Sequence, residues 1–199
     1  MNKLTALDLT YGSIFVCLMA IGANITLWFP FLAIPIGGVS VPLSLQTFFA
    51  LIAGLLLGRK LALLAMTAYI LIGIAGVPVF ANMHAGLFVL FDYTGGFLLS
   101  FILVAYITGW LTEKRNSLKV TTSFTIAIIG VCINYLIGVH YMYLAMNTWL
   151  GLSIPYSVTW MSMTPFFIKD IGMAIIAALL IVRIADRIPK ASIRRRTYN

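Results

Sequence analysis

The chain has 199 residues, of which 62% are hydrophobic and 9% charged, with a formal net charge of +8. A soluble domain carries about a quarter charged residues, so this composition excludes an ordinary water-soluble fold. What remains is an integral membrane protein, whose basic residues are read first as topology and headgroup anchors rather than as a nucleic-acid surface.

A bilayer crossing needs about 20 apolar residues, and fewer where a segment packs inside a bundle. Six stretches qualify: 9–29, 41–58, 61–77, 87–111, 121–143 and 159–184. They predict an all-α integral membrane protein of six transmembrane helices, with a single transmembrane domain over 1–199. The first stretch is too long, and lacks a small-residue exit, for a cleaved signal peptide. It ends in the proline- and glycine-punctuated loop 30–39. The tight turn Arg59-Lys60 separates the second and third stretches, and Gly76-Val77-Pro78 closes the third before the loop 79–86. Cys17 and Cys132 fall inside apolar runs and read as free core thiols rather than a disulfide or metal pair.

The basic residues fix the expected orientation. Lys3 precedes the first stretch, Arg59 and Lys60 separate the second from the third, and Lys114, Arg115 and Lys119 separate the fourth from the fifth. Arg183, Arg187, Lys190, Arg194, Arg195 and Arg196 follow the sixth, whereas loops 30–39, 79–86 and 146–158 contain neither Lys nor Arg. Both termini are therefore expected on the cytoplasmic side. No internal repeat is visible, which argues against an inverted-repeat transporter acting alone.

Asp170, in Pro165-Phe166-Phe167-Ile168-Lys169-Asp170, is the residue around which the reading turns. A carboxylate within a span costs about 2.5–3.5 kcal/mol on insertion scales, so it points to a partner or a ligand. Pro165 suits a first helical turn or a kink near the outer end, which would put Asp170 about a turn inside. Helical spacing places Phe166, Phe167, Met173, Ala174 and Ala177 near its face. Lys169 is expected to point elsewhere, its stem free to snorkel to the outer interface. The plainer reading of Asp170 is a helix–helix hydrogen bonder.

Asp92, in Phe91-Asp92-Tyr93-Thr94-Gly95-Gly96-Phe97, is a second intramembrane carboxylate near the outer end of the fourth stretch. It suits a cap or a bond to Tyr93 or Thr94, while Gly95-Gly96 permits close approach of a helix or ligand. Asn82 and His84 lie in the preceding loop, His84 reading as a loop hydrogen bonder and His140 as satisfied within the bundle. Two separated histidines without Cys-x-x-Cys spacing make a poor zinc site. Gly54 to Lys60 lacks the spacing and following Ser or Thr of a phosphate loop, and Gly151 to Pro155 lacks the second glycine of a nucleophile elbow. No catalytic constellation stands out, so the chain is not read as an enzyme.

Four stretches resemble one family. They are Val41-Pro42-Leu43-Ser44-Leu45-Gln46-Thr47-Phe48, then Tyr69-Ile70-Leu71-Ile72-Gly73-Ile74-Ala75-Gly76-Val77-Pro78-Val79-Phe80, then Thr94-Gly95-Gly96-Phe97, and Pro165 to Asp170. In this order they are similar to the BioY proteins, the biotin-binding S components of energy-coupling factor (ECF) transporters. The resemblance implies a six-helix bundle in a prokaryotic cell membrane that captures biotin from outside and topples to deliver it. It implies, as partners, a transmembrane coupling protein and two cytoplasmic ATPases, with ATP used only by them and no cofactor in this chain. It also implies a site under the outer loops, with Asp170 at the family's aspartate and Asn82 at its loop asparagine. The chain departs from many relatives in having Met173 where they have lysine, and Asp92-Tyr93 where they have Gly-Pro. Ser13 and Cys17 approximate a small-residue docking face on the first span.

Biotin's ureido ring offers two N–H donors and a carbonyl, which Asp170 and Asn82 could meet. Phe166, Tyr93, Met173 or Tyr156 would cover its apolar bicycle. Its carboxylate tail needs a donor from Lys169, Ser44, Gln46 or loop N–H groups. Three rivals stay open: the same fold holding another vitamin-like molecule, an intramembrane enzyme using Asp92 and Asp170, and a structural scaffold.

Overall fold

The computed structural model describes residues 4–29, 33–36, 39–115 and 117–184. Lys3, parts of the first loop (including Gly37-Gly38), and Arg187, Lys190, Arg194, Arg195 and Arg196 lie outside the described residues.

Helix α1 spans Ala6–Ala23. Thr5 caps it in a reciprocal box, its backbone N–H donating to Asp8 Oδ2 at 2.9 Å and its hydroxyl accepting from the Asp8 N–H at 3.3 Å. The helix breaks at Asn24, and a single turn, α2 (Ile25–Trp28), follows. Strands β1 (Ala33–Ile36) and β2 (Val39–Pro42) pair antiparallel in the register Ala33↔Pro42 to Ile36↔Val39. The first loop is thus a hairpin, which corrects the purely helical expectation. Val39 and Val41 favour extended backbone and Pro42 drives its predecessor out of helical space, so the second helix cannot begin at 41. It begins at Gln46: α3 covers Gln46–Leu57 and α4 covers Arg59–Ile74.

The fourth stretch also divides. The short α5 (Phe88–Phe91) and α6 (Gly95–Glu113) are separated at Asp92, which is extended and accepts a bond from the Tyr93 N–H on its own side chain at 2.7 Å. Such a local bond competes with continued helix. The last helices are long, α7 over Val120–Thr148 and α8 over Tyr156–Ile184. Among the described residues, α1, α6, α7 and α8 are long and apolar enough to cross a membrane, making this a multi-pass membrane protein. At 1.5 Å per residue, α3 and α4 extend only about 18 and 24 Å.

Every residue of α3 except Phe49 is buried. A helix that is apolar all round needs neighbours on all sides, and α3 packs against α1, α4, α6, α7 and α8. Its approach to α6 depends on Gly54, where a Cβ would fall 1.9 Å from Thr108 Oγ1 and 2.7 Å from the Ala105 carbonyl oxygen. Glu113 closes the lower end, accepting from the Arg59 N–H at 2.9 Å and meeting Arg59 Nε at 3.1 Å. The Tyr135–Asp170 and Tyr143–Tyr156 contacts set α7 and α8 antiparallel. That arrangement gathers Arg59, Lys60, Lys114, Lys119 and Arg183 at one end of the bundle.

Cys17 and Cys132 are free, as expected, but both are exposed rather than in the core. In a membrane protein the lipid-facing surface is as apolar as the interior, so hydrophobicity alone does not separate the two.

Candidate functional site

A cavity of about 140 Å³ opens near the end of the bundle opposite the basic residues. Its walls come from the start of α3, the loop after α4, the α5–α6 break and the middles of α7 and α8. Of the nine residues that the sequence offered as ligand contacts, seven line it: Ser44, Gln46, Asn82, Tyr93, Phe166, Lys169 and Asp170. Met173 packs against the core without lining the cavity.

Asp170 is 2% exposed. Its Oδ2 accepts from the Tyr135 hydroxyl at 2.9 Å, and its Oδ1 lies 2.8 Å from Lys169 Nζ without an aligned hydrogen bond. Its depth corrects the sequence expectation. Because α8 starts at Tyr156, Pro165 sits inside the helix and Asp170 is fourteen residues along, about 21 Å from the helix start.

Lys169 also departs from expectation. Neighbouring helix positions diverge by about 100°, yet the flexible stem folds back, so that Nζ meets Asp170 and donates to the backbone carbonyl of Ser44. A buried carboxylate attracts the ammonium more strongly than an exposed interface would, because little water screens the pair. The result is a neutralised pair at the cavity wall, tying α8 to the segment that leads into α3.

The other polar groups are braced from behind. Gln46 donates to the Tyr69 hydroxyl at 2.9 Å, and Tyr69 donates to the Val79 carbonyl at 3.0 Å. Ser100 donates to Asn134 Oδ1 at 2.6 Å, and Asn134 Nδ2 donates to Thr47 Oγ1 at 3.3 Å. Asn82 stands in a 3₁₀ turn, Ala81–Met83, with φ 56° and ψ 32°. Asp92 also lines the cavity, next to Tyr93.

Thr47, Asn134 and Tyr135 were not singled out from sequence, though all three line the cavity. Asn134-Tyr135 stands in the middle of the fifth apolar stretch, and that isolated polar pair was the available signal. The apolar walls Phe80, Phe97, Phe101, Met142 and Met163 gave none, since every helix here is rich in such residues.

His84 lines the cavity and closes its loop through backbone bonds, its carbonyl accepting from the Phe80 N–H at 3.1 Å. His140 is satisfied, but on an exposed face: Nδ1 meets the Leu136 carbonyl at 2.5 Å and Nε2 meets the Tyr156 hydroxyl at 3.0 Å. Tyr156 belongs to that aromatic cluster rather than to the cavity. Among the described residues, no three His, Cys, Asp or Glu side chains converge as metal ligands.

The architecture has a counterpart among solved structures. It matches a 2.1 Å crystal structure described as the S-component for biotin from an ECF-type ABC transporter, with a TM-score of 0.70. The match covers 96% of this chain and 99% of that one at 24% identity. The chain is 43% identical over 192 residues to the putative biotin transporter BioYB of Bacillus subtilis (strain 168), covering 96% of this chain and 94% of that protein. It is 33% identical over 178 residues to the biotin transporter BioY of Thermotoga maritima, covering 89% and 95% respectively. The sequence profile of the BioY family matches residues 1–190. The chain belongs to the BioY family.

Proposed function

We propose that this protein is the substrate-capture subunit for biotin of an ECF-type vitamin transporter. The observation that carries the reading is the Lys169–Asp170 pair, its carboxylate buried and its ammonium partly exposed, set in an otherwise largely apolar cavity. Biotin combines an apolar bicycle, a ureido group with two N–H donors and an anionic tail. Asp170 accepts from the ureido N–H groups, since a carboxylate in a dry site binds donors more strongly than a neutral acceptor does. Tyr135 holds that carboxylate in place, and the Asn82 amide meets the ureido carbonyl. Phe166 and the aromatic walls cover the bicycle. Lys169 neutralises the Asp170 carboxylate, and the tail at the other end of the ligand takes its donors from Gln46, Ser44 or the loop N–H groups.

The chain is a transporter component, not an enzyme. Six crossings, with the basic end and both termini in the cytoplasm, follow from the Lys and Arg placement and open the cavity to the outside. A transmembrane coupling protein and two cytoplasmic ATPases supply the energy, and this chain needs no cofactor. Calorimetric titration of biotin into the purified, detergent-solubilised protein tests the reading, with nanomolar-range binding expected. A well-folded protein that ignores biotin but binds another vitamin would overturn the substrate assignment while keeping the class.

A further inference from the structure

We infer that Asn24, which does not line the cavity, is the positioning residue that holds the Asn82 turn in its ligand-facing conformation. The inference rests on the biotin reading for the meaning of that turn, though not for its geometry. Asn82 and Met83 have successive left-handed backbones, φ 56° and 57°, which non-glycine residues rarely adopt and which persist only when their surroundings impose them. The ends of the loop are well anchored. Phe80 is buried against Tyr69, the Val79 carbonyl accepts from Tyr69, and the Gly86 N–H donates to the Gly73 carbonyl at 2.8 Å. The middle of the turn is gripped from elsewhere: the Met83 N–H donates to Asn24 Oδ1 at 2.8 Å.

Asn24 is suited to this by chemistry and place. It is 4% exposed, at the break between α1 and α2, and its Nδ2 donates to the Ala20 carbonyl at 3.0 Å. That bond fixes which side of the amide faces Met83, so both ends of the side chain are satisfied only by an amide. Two residues earlier, the Gly22 carbonyl accepts from the Leu45 N–H at 2.9 Å, between Ser44 and Gln46 of the opposite wall. The end of α1 therefore grips two separate walls of a cavity to which, among the described residues, α1 contributes no lining side chain.

The test compares the parent with Asn24→Leu, which removes both the acceptor for the Met83 N–H and the donor to the Ala20 carbonyl. Each is reconstituted in lipid nanodiscs, and two quantities are measured. Hydrogen–deuterium exchange of the 79–87 segment is followed without ligand, and dissociation of radiolabelled biotin is timed. Asn24→Leu is expected to raise exchange in that segment and to speed dissociation about fivefold, the equivalent of one neutral hydrogen bond. Exchange in α3, α6, α7 and α8 is expected to stay at the parent level, and a rise spread over those helices would overturn the inference. Parent-like exchange and dissociation in Asn24→Leu would overturn the inference. If Asn24→Leu does not fold, Asn24→Ser, too short to reach the Met83 N–H, takes its place with the same outcomes. A parent that fails to bind biotin would sink the functional reading, and the ligand-free exchange comparison would still decide the role of Asn24.

Discussion

Removing one member of the Lys169–Asp170 pair is expected to cost more stability than removing both. The side chains are 22% and 3% exposed, 2.8 Å apart. Breaking a fully buried pair costs about 3–5 kcal/mol, because one charge is left without compensation. Lys169→Met leaves the carboxylate buried with only its Tyr135 bond, so a cost near the lower limit, about 3 kcal/mol, is expected. Asp170→Asn leaves an ammonium that still reaches solvent and the Ser44 carbonyl, so about half that cost is expected. For a chain of this length, each kcal/mol shifts the unfolding midpoint by about 2–4 °C. Lys169→Met should then melt about 6–12 °C below the parent, with Asp170→Asn between them. The double variant should return close to the parent, since replacing both charges is often neutral. Biotin binding should not recover with it. Loss of a charge-assisted acceptor costs about 1.5–3 kcal/mol, on the order of a ten- to hundredfold loss of affinity. Thermal unfolding without ligand and calorimetric titration read the two effects separately. A double variant as unstable as Lys169→Met would refute the pairing argument, and parent-like affinity in Asp170→Asn would refute the ligand argument.

Two further predictions address the scaffold. Gly54→Ala would force α3 and α6 apart, because the Ala105 carbonyl oxygen 2.7 Å from the new Cβ is backbone and cannot rotate away. An overpacking cost of about 1–3 kcal/mol is expected, seen as a lower unfolding midpoint, and an unchanged midpoint would show that the bundle has slack there. Orientation can be read by labelling with a membrane-impermeant maleimide after replacing Cys17 and Cys132 with serine. Lys114→Cys should label only in inside-out vesicles and Thr148→Cys only in right-side-out ones, and the reverse pattern would invert the topology.

Helical segments were legible because apolar length is a direct consequence of the bilayer. Their ends were not, since the sequence signals there are local and compete. Asp92 stops a helix by bonding its neighbour's amide, and the Val39 to Pro42 segment prefers extended backbone, yet both lie in runs that remain apolar. Pro165 misled in the other direction. Proline usually marks a helix start, but within a packed α8 the lost backbone bond is tolerated, and Asp170 sits far deeper than its distance from Pro165 suggested.

The site divides along the same physical line. Charged residues within spans are so costly that Asp170 drew notice on its own, and resemblance pointed to Asn82, which lines the same cavity. Lys169 shows where one-dimensional reasoning stops. Its helix position points it away from Asp170, but a four-carbon stem reaches across that angle once a buried anion and the Ser44 carbonyl offer more than the interface does. The braces behind the site were less legible still. Tyr135 orients Asp170 across 35 positions, Gln46 reaches Tyr69 across 23, and Asn24 reaches Met83 across 59. Gln46 and Asn24 are ordinary in their own segments, and the role of all three braces exists only once the fold brings two distant stretches within hydrogen-bond range. A cavity that must hold a polar ligand inside a membrane needs such braces, because the surrounding lipid offers no hydrogen-bond partner to a polar side chain that drifts from its place.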